Sequence, residues 1–127
     1  MKKLGKTLII FAGILILLLL VMVIKMGSEL KGLQYSEVNM NEVEDGVYIG
    51  KAETTLVKVE VEVEVLNHKI SEIKIIRHDN GRGAKAEQIT KDMIVKNTYD
   101  VDVISGATTS SEVFKSAVSN ALAGGKI

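Results

Sequence analysis

The chain contains no cysteine. That absence removes disulfides, thiolate nucleophiles, iron–sulfur ligation and zinc–sulfur sites together. It also removes an acylated cysteine as a route to the membrane. Charge of one sign is not in excess either: 16 basic and 16 acidic side chains give a formal net charge of zero. No basic stripe interleaved with aromatic residues is present to track a phosphate backbone, so nucleic acid is not an expected partner. The histidines are 2 in number, and His68 and His78 lie too far apart for a helical metal pair and have no evident third ligand.

What is present first is a long apolar run. Leu8 to Ile24 reads LIIFAGILILLLLVMVI, roughly 17 residues without a charge, at the short end of what crosses about 30 Å of hydrocarbon as a helix. Lys2, Lys3 and Lys6 precede it, and the positive-inside tendency leaves residues 1–7 in the cytoplasm and everything beyond Lys25 outside. A cleaved signal peptide is the alternative. Its apolar region runs about 7 to 15 residues and ends in a small-x-small site, whereas Gly27 and Ser28 stand awkwardly for such a site. The reading is therefore an uncleaved anchor over 8–24, a polar tether without sustained period over 25–42, and one small exported domain over 43–127. A domain of that size buries only about 60% of its unfolded surface, so a bound cofactor would add appreciably to its stability.

Within the domain, Asp45-Gly46 signals a turn and Val47 to Gly50 a short first strand. Val57, Val59, Val61, Val63 and Val65 then alternate with Lys58, Glu60, Glu62 and Glu64, the pattern of a strand with one face buried and one wet. The three glutamates are spaced about 7 Å apart on the wet face, too far for one ion. Asn67-His68-Lys69 forms a turn, and Ile70 to Arg77 returns as the hairpin partner with Ile73 and Ile75 on the valine face. His78 to Gly83 reads as a loop. Its Gly81-x-Gly83 lacks the third glycine and the distal acid of a dinucleotide fingerprint and serves a turn instead. A helix from about Ala84 to Val95 places Ala86, Ile89 and Met93 on one stripe, and Asp100 to Ile104 is extended. In the last helix Phe114, Ala117, Val118, Ala121 and Leu122 form the buried face, Gly124-Gly125 ends it, and Thr109-x-x-Glu112 fits a capping box with Thr109 as cap. The expected fold class is α+β: a small antiparallel sheet with two helices packed on it, preceded by an N-terminal transmembrane helix.

Between the extended segment and the last helix stands Asp102-Val103-Ile104-Ser105-Gly106-Ala107-Thr108-Thr109-Ser110-Ser111. On local physics this is a small-residue loop that starts a helix, and a phosphate on Thr108 would also sit well there, before unpartnered backbone N–H groups. The run Asp102-x-x-Ser105-Gly106-Ala107-Thr108 resembles the flavinylation motif of the FMN-binding domain family, found in the sodium-translocating NADH:quinone reductase and in the related Rnf ion-translocating complex. The order of elements extends the resemblance over roughly Val43 to Leu122.

The resemblance implies FMN joined to Thr108 by a phosphoester bond, placed there by a separate flavin transferase that uses FAD. Asp102 corresponds to the motif's acid, Ser105, Gly106 and Ala107 to its small residues, and Thr109 with Ser110 and Ser111 to its hydroxyl-rich continuation. The chain departs from many members in having no proline between His78 and Gly83, which bears on contacts with the flavin ring. The implied role is a membrane-anchored, extracytoplasmic electron carrier between a membrane donor, such as a quinone or NADH dehydrogenase, and an extracytoplasmic acceptor. Nothing resembles a substrate site, so an electron carrier within a redox system is expected over a stand-alone enzyme. The competing readings are a non-redox cell-envelope module and a small-molecule reductase component.

Overall fold

The computed structural model describes residues 2–79 and 84–125. The chain forms two compact units, Met1–Gly32 and Leu33–Ile127. The first is the helix α1, Lys2–Gly32. Within it Lys3–Lys25, 23 residues, is long and apolar enough to cross a membrane, since at 1.5 Å per residue it extends about 35 Å. Its large apolar side chains from Leu8 to Ile24 are all exposed, so α1 is apolar all round, without the one-sided stripe of a helix on a soluble core.

In the second unit β1 (Gly46–Glu53), β2 (Lys58–Leu66) and β3 (Lys69–Asp79) form an antiparallel sheet in the order β1-β2-β3. After a 3-10 turn at Ala84–Gln88 come α2 (Ile89–Lys96) and α3 (Thr108–Gly124). β2 carries the core. Val59, Val61, Val63 and Val65 are 0–2% exposed, and each contributes roughly 1.5 kcal/mol or more by its burial. Phe114, Ala117, Val118, Ala121 and Leu122 of α3 close over them, as do Ala86, Ile89 and Met93. The α+β expectation and both helical stripes hold.

Local chemistry fixes the connections. Asn67 and His68 take φ of 53° and 62°, the positive pair required of a two-residue type I′ hairpin. Asn97 ends α2 at φ 55°, then accepts from Ile70 N at 2.8 Å and donates to the His68 carbonyl at 3.0 Å. One left-handed asparagine thus ties a helix end to the hairpin. A Cβ on Gly50 would lie 2.6 Å from Ala121 N and nearer still to the Ala117 carbonyl, so glycine lets α3 approach β1 closely.

Two expectations change. The stretch 25–42 is not a loose tether throughout: it is helical to Gly32, and from Leu33 it lies along α3. The Gln34 carbonyl accepts from Ser116 Oγ at 2.6 Å, Ser36 N donates to Ser119 Oγ at 3.3 Å, and Leu33, Val38 and Met40 pack on the core. The sequence shows no period here because a strap docked by scattered anchors needs none. Secondly, His78 and Asp79 belong to β3 rather than to a loop. Asn80 to Gly83, with both glycines of the proposed turn, lie outside the described residues.

Candidate functional site

The segment before α3 is built as a turn. Ala107 N donates to the Ile104 carbonyl at 2.9 Å, and Gly106, third of these four residues, has φ +80°. A type II turn requires positive φ at that position, and glycine supplies it without strain. Ser111 locks the turn from inside: its hydroxyl accepts from Ile104 N at 2.9 Å and donates to the Ala107 carbonyl at 2.7 Å. Ala107 is 5% exposed, so a small side chain fits there. Thr108 is then the first residue of α3 and is exposed, as are Asp102 and Ser105.

The helix begins two residues earlier than the capping-box reading requires. Ala107 is the N-cap and provides no side-chain bond, so Thr109 does not cap α3. Glu112, the other half of that box, is engaged elsewhere: its carboxylate accepts from the Tyr35 hydroxyl, its carbonyl lies 3.4 Å from the same oxygen, and Lys115 Nζ stands 4.0 Å away. Among the described residues, the first turn of α3 has neither a side-chain cap nor an acidic residue. Lys85 approaches the same place, because a Cβ on Gly106 would meet its Nζ at 2.5 Å.

Behind the turn is a residue that sequence reasoning left in a loop. A bulge in β3 between the Glu60 and Val61 pairings shifts register, so His78 sits opposite Val59 while Ile75 sits opposite Val61. Strict alternation from Ile75 would turn Arg77 inward; the bulge turns His78 inward instead. Its side chain is 2% exposed. Nε2 lies 3.2 Å from Ser110 Oγ, Nδ1 lies 3.3 Å from Glu87 Oε1, and the ring meets Phe114 edge-on at 4.7 Å. The three-residue step from Ile75 to His78 was the available sequence signal.

Successive helix residues are turned about 100° apart. Thr108 therefore shares its outer stripe with Glu112, whereas Ser110 points roughly 200° away toward His78. On the outer side Tyr35 stacks on Tyr99 with ring centroids 6.3 Å apart and planes at 17°. Burial first, then the bond to Glu112 and its negative charge, raise the Tyr35 phenol above the ordinary tyrosine range. Lys115 Nζ lies 3.4 Å from Asp100 Oδ1, joining the Tyr99 segment to α3.

A family model described as the FMN-binding domain matches residues 56–123, from just before β2 almost to the end of α3. The crystal structure of the CPE2226 protein from Clostridium perfringens is similar at 26% identity and a TM-score of 0.54, covering 65% of this chain and 88% of that one. No curated protein matches the chain.

Proposed function

The chain belongs to the FMN-binding domain family, and on that premise we propose that it is a membrane-anchored, extracytoplasmic electron-transfer flavoprotein with FMN linked covalently to Thr108. FMN accepts one or two electrons when bound, and the protein's part is to hold, tune and expose it. The observation that carries the reading is the setting of Thr108: an exposed hydroxyl opening a 17-residue helix whose first turn has no side-chain cap and no acid. A phosphoester there meets unpartnered N–H groups and the positive end of the helix dipole. Lys85, beside Gly106, adds the charge that complements a phosphate. The donor set fits the group.

Gly106 and Ala107 keep the approach to Thr108 low, as a flavin transferase using FAD as donor requires. Asp102 and Ser105, exposed on the same segment, are available to that enzyme, and Thr109 flanks the attachment hydroxyl. Covalent attachment suits an exported domain, from which a dissociating flavin would be diluted away. An anchor formed by α1 would keep the flavin within tether range of a membrane donor such as a quinone or NADH dehydrogenase, for relay to an extracytoplasmic acceptor. The intact mass of the full chain isolated from its membrane tests the linkage: the expected mass carries one added FMN less water, and the unmodified mass overturns it. A cysteine at Lys96 should react with a membrane-impermeant thiol reagent on intact cells and one at Lys3 should not; the reverse pattern rules out export.

A further inference from the structure

Resting on attachment at Thr108, we propose that His78 is a positioning residue: through Glu87 it holds the 3-10 turn Ala84–Gln88 against the start of α3, and so places Lys85 beside the turn that precedes Thr108. The other inward residues of β3, Ile70, Ile73 and Ile75, are hydrocarbon. An imidazole in their row is costly to bury unless both of its nitrogens are paired. Both find partners: Nδ1 lies 3.3 Å from Glu87 Oε1, nine residues on, and Nε2 lies 3.2 Å from Ser110 Oγ, 32 residues on. One ring thus joins the end of β3, the 3-10 turn and the first turn of α3.

The direction of the bonds follows from the acceptor. A carboxylate only accepts, so Nδ1 carries the proton, and Nε2 of the neutral ring is left to accept from the Ser110 hydroxyl. Glu87 has open water within reach, its side chain being 47% exposed, yet it bonds to a side chain that is 2% exposed. Ala86, 0% exposed, seats the same 3-10 turn in the core. A methyl group gives no direction, however, and the bond from Glu87 to the ring supplies it. Lys85 precedes Ala86, and its Nζ reaches the turn before α3, where a Cβ on Gly106 would meet it at 2.5 Å. The glycine leaves that room. A Glu87 carboxylate engaged by His78 also competes less with a phosphate for the lysine two residues before it.

The test uses the full chain in detergent, made with and without a coexpressed flavin transferase, with loading checked by intact mass and folding by circular dichroism. A phosphate that meets Lys85 should raise the urea midpoint on loading. Part of that rise should be lost in Lys85→Ala, and the same part in Glu87→Ala and in His78→Gln. Lys85→Ala combined with Glu87→Ala should lose no more than Lys85→Ala alone, because Glu87 acts through that lysine. A merely structural role would lower loaded and unloaded midpoints together and leave their difference unchanged. That result in Glu87→Ala overturns the proposal, as does additive loss in the double variant or the lack of any rise in the loaded parent. Should the buried His78 not tolerate glutamine, Glu87→Ala, at an exposed carboxylate, carries the test. If the parent carries no flavin, the attachment reading fails by itself, and the unmodified chain decides the clamp. A nuclear Overhauser contact between Lys85 and Gly106 should then be present in the parent and absent in Glu87→Ala; its persistence in the variant, or its absence from the parent, overturns the clamp.

Discussion

Thr108, Thr109, Ser110 and Ser111 present four consecutive hydroxyls in the first turn of α3, and the fold divides them into two pairs. Ser110 and Ser111 are 3% and 0% exposed, the first beside His78 Nε2 and the second bridging Ile104 N and the Ala107 carbonyl. Thr108 is exposed and Thr109 half-buried, and neither caps the helix. The chemistry of the four is nearly alike, so helix phase decides their use. At about 100° per residue the inner pair is consumed in holding the turn, and the outer pair stays open to an enzyme. For the attachment proposed at Thr108, the outer half presents the hydroxyl and the inner half keeps its platform rigid.

The comparison breaks most sharply at Thr108. Thr108→Ala should lose covalent flavin completely while folding at least as well as the parent, because alanine is the stronger helix former. Coexpression with a flavin transferase, denaturation, and fluorescence that stays with the polypeptide measure it. Retention of flavin in Thr108→Ala, with loss in another hydroxyl variant, would move the attachment site. Asp102→Ala should lower the modified fraction far more than it lowers the denaturation midpoint, since Asp102 is exposed and the valine core lies elsewhere. Full modification of that variant removes Asp102 from the recognition of the motif.

On the inner side the expected loss is of stability. Ser111→Ala leaves Ile104 N without its acceptor in a partly buried setting and frees the turn from the helix, a cost of about 1–3 kcal/mol. The urea midpoint reads it, and flavinylation should fall in step as the platform loosens. An unchanged midpoint would mean that Ile104 to Ala107 holds its shape without Ser111.

Much of this arrangement was legible before the fold was known. The alternating valines, the helical stripes and the small-residue run before Thr108 each follow from one local rule, and those rules were obeyed. What escaped was set by partners distant in sequence. The inward turn of His78 depends on a bulge against β2, whereas alternation within β3 alone points Arg77 inward. The capping box fails in the fold because α3 starts at Thr108, and the Glu112 carboxylate it would have used accepts instead from Tyr35, 77 residues away. The docking of residues 33–39 rests on scattered anchors, the Leu33 and Val38 side chains with backbone groups and serine hydroxyls, which leave no hydrophobic period to read.

The Tyr35–Glu112 contact separates the strap from the local helix rules by a smaller effect. The neutral phenol is the donor, and its pKa in the folded chain is raised by burial first and then by Glu112. A group whose folded pKa lies above its unfolded value, about 10 for tyrosine, contributes stability that is complete below that value and is lost as pH rises through the folded one. The parent should therefore lose stability with rising pH above about 10, and Tyr35→Phe should lose less over the same interval. Equal slopes in urea midpoint against pH would show that the bond contributes nothing measurable. Below that range Tyr35→Phe should cost about 1 kcal/mol at most, as the pair is partly exposed.

The smallest expected effect discriminates most directly between local and tertiary control of the α3 terminus. Were Thr109 the N-cap of a box with Glu112, replacing it by alanine would cost about 1 kcal/mol. In the fold Ala107 occupies the N-cap position, Thr109 is the second helical residue, and Glu112 is held by Tyr35 and Lys115. Alanine has a higher helix propensity than threonine, by up to about 0.7 kcal/mol, and a half-buried side chain without a capping bond offers little to oppose it. Thr109→Ala should accordingly leave the urea midpoint within about 0.5 kcal/mol of the parent, or raise it slightly, and should be flavinylated normally. A loss near 1 kcal/mol restores the capping box. That loss would also require Glu112 to leave Tyr35, so a double-mutant cycle of Thr109→Ala with Tyr35→Phe would then show coupling between two residues that the fold keeps independent.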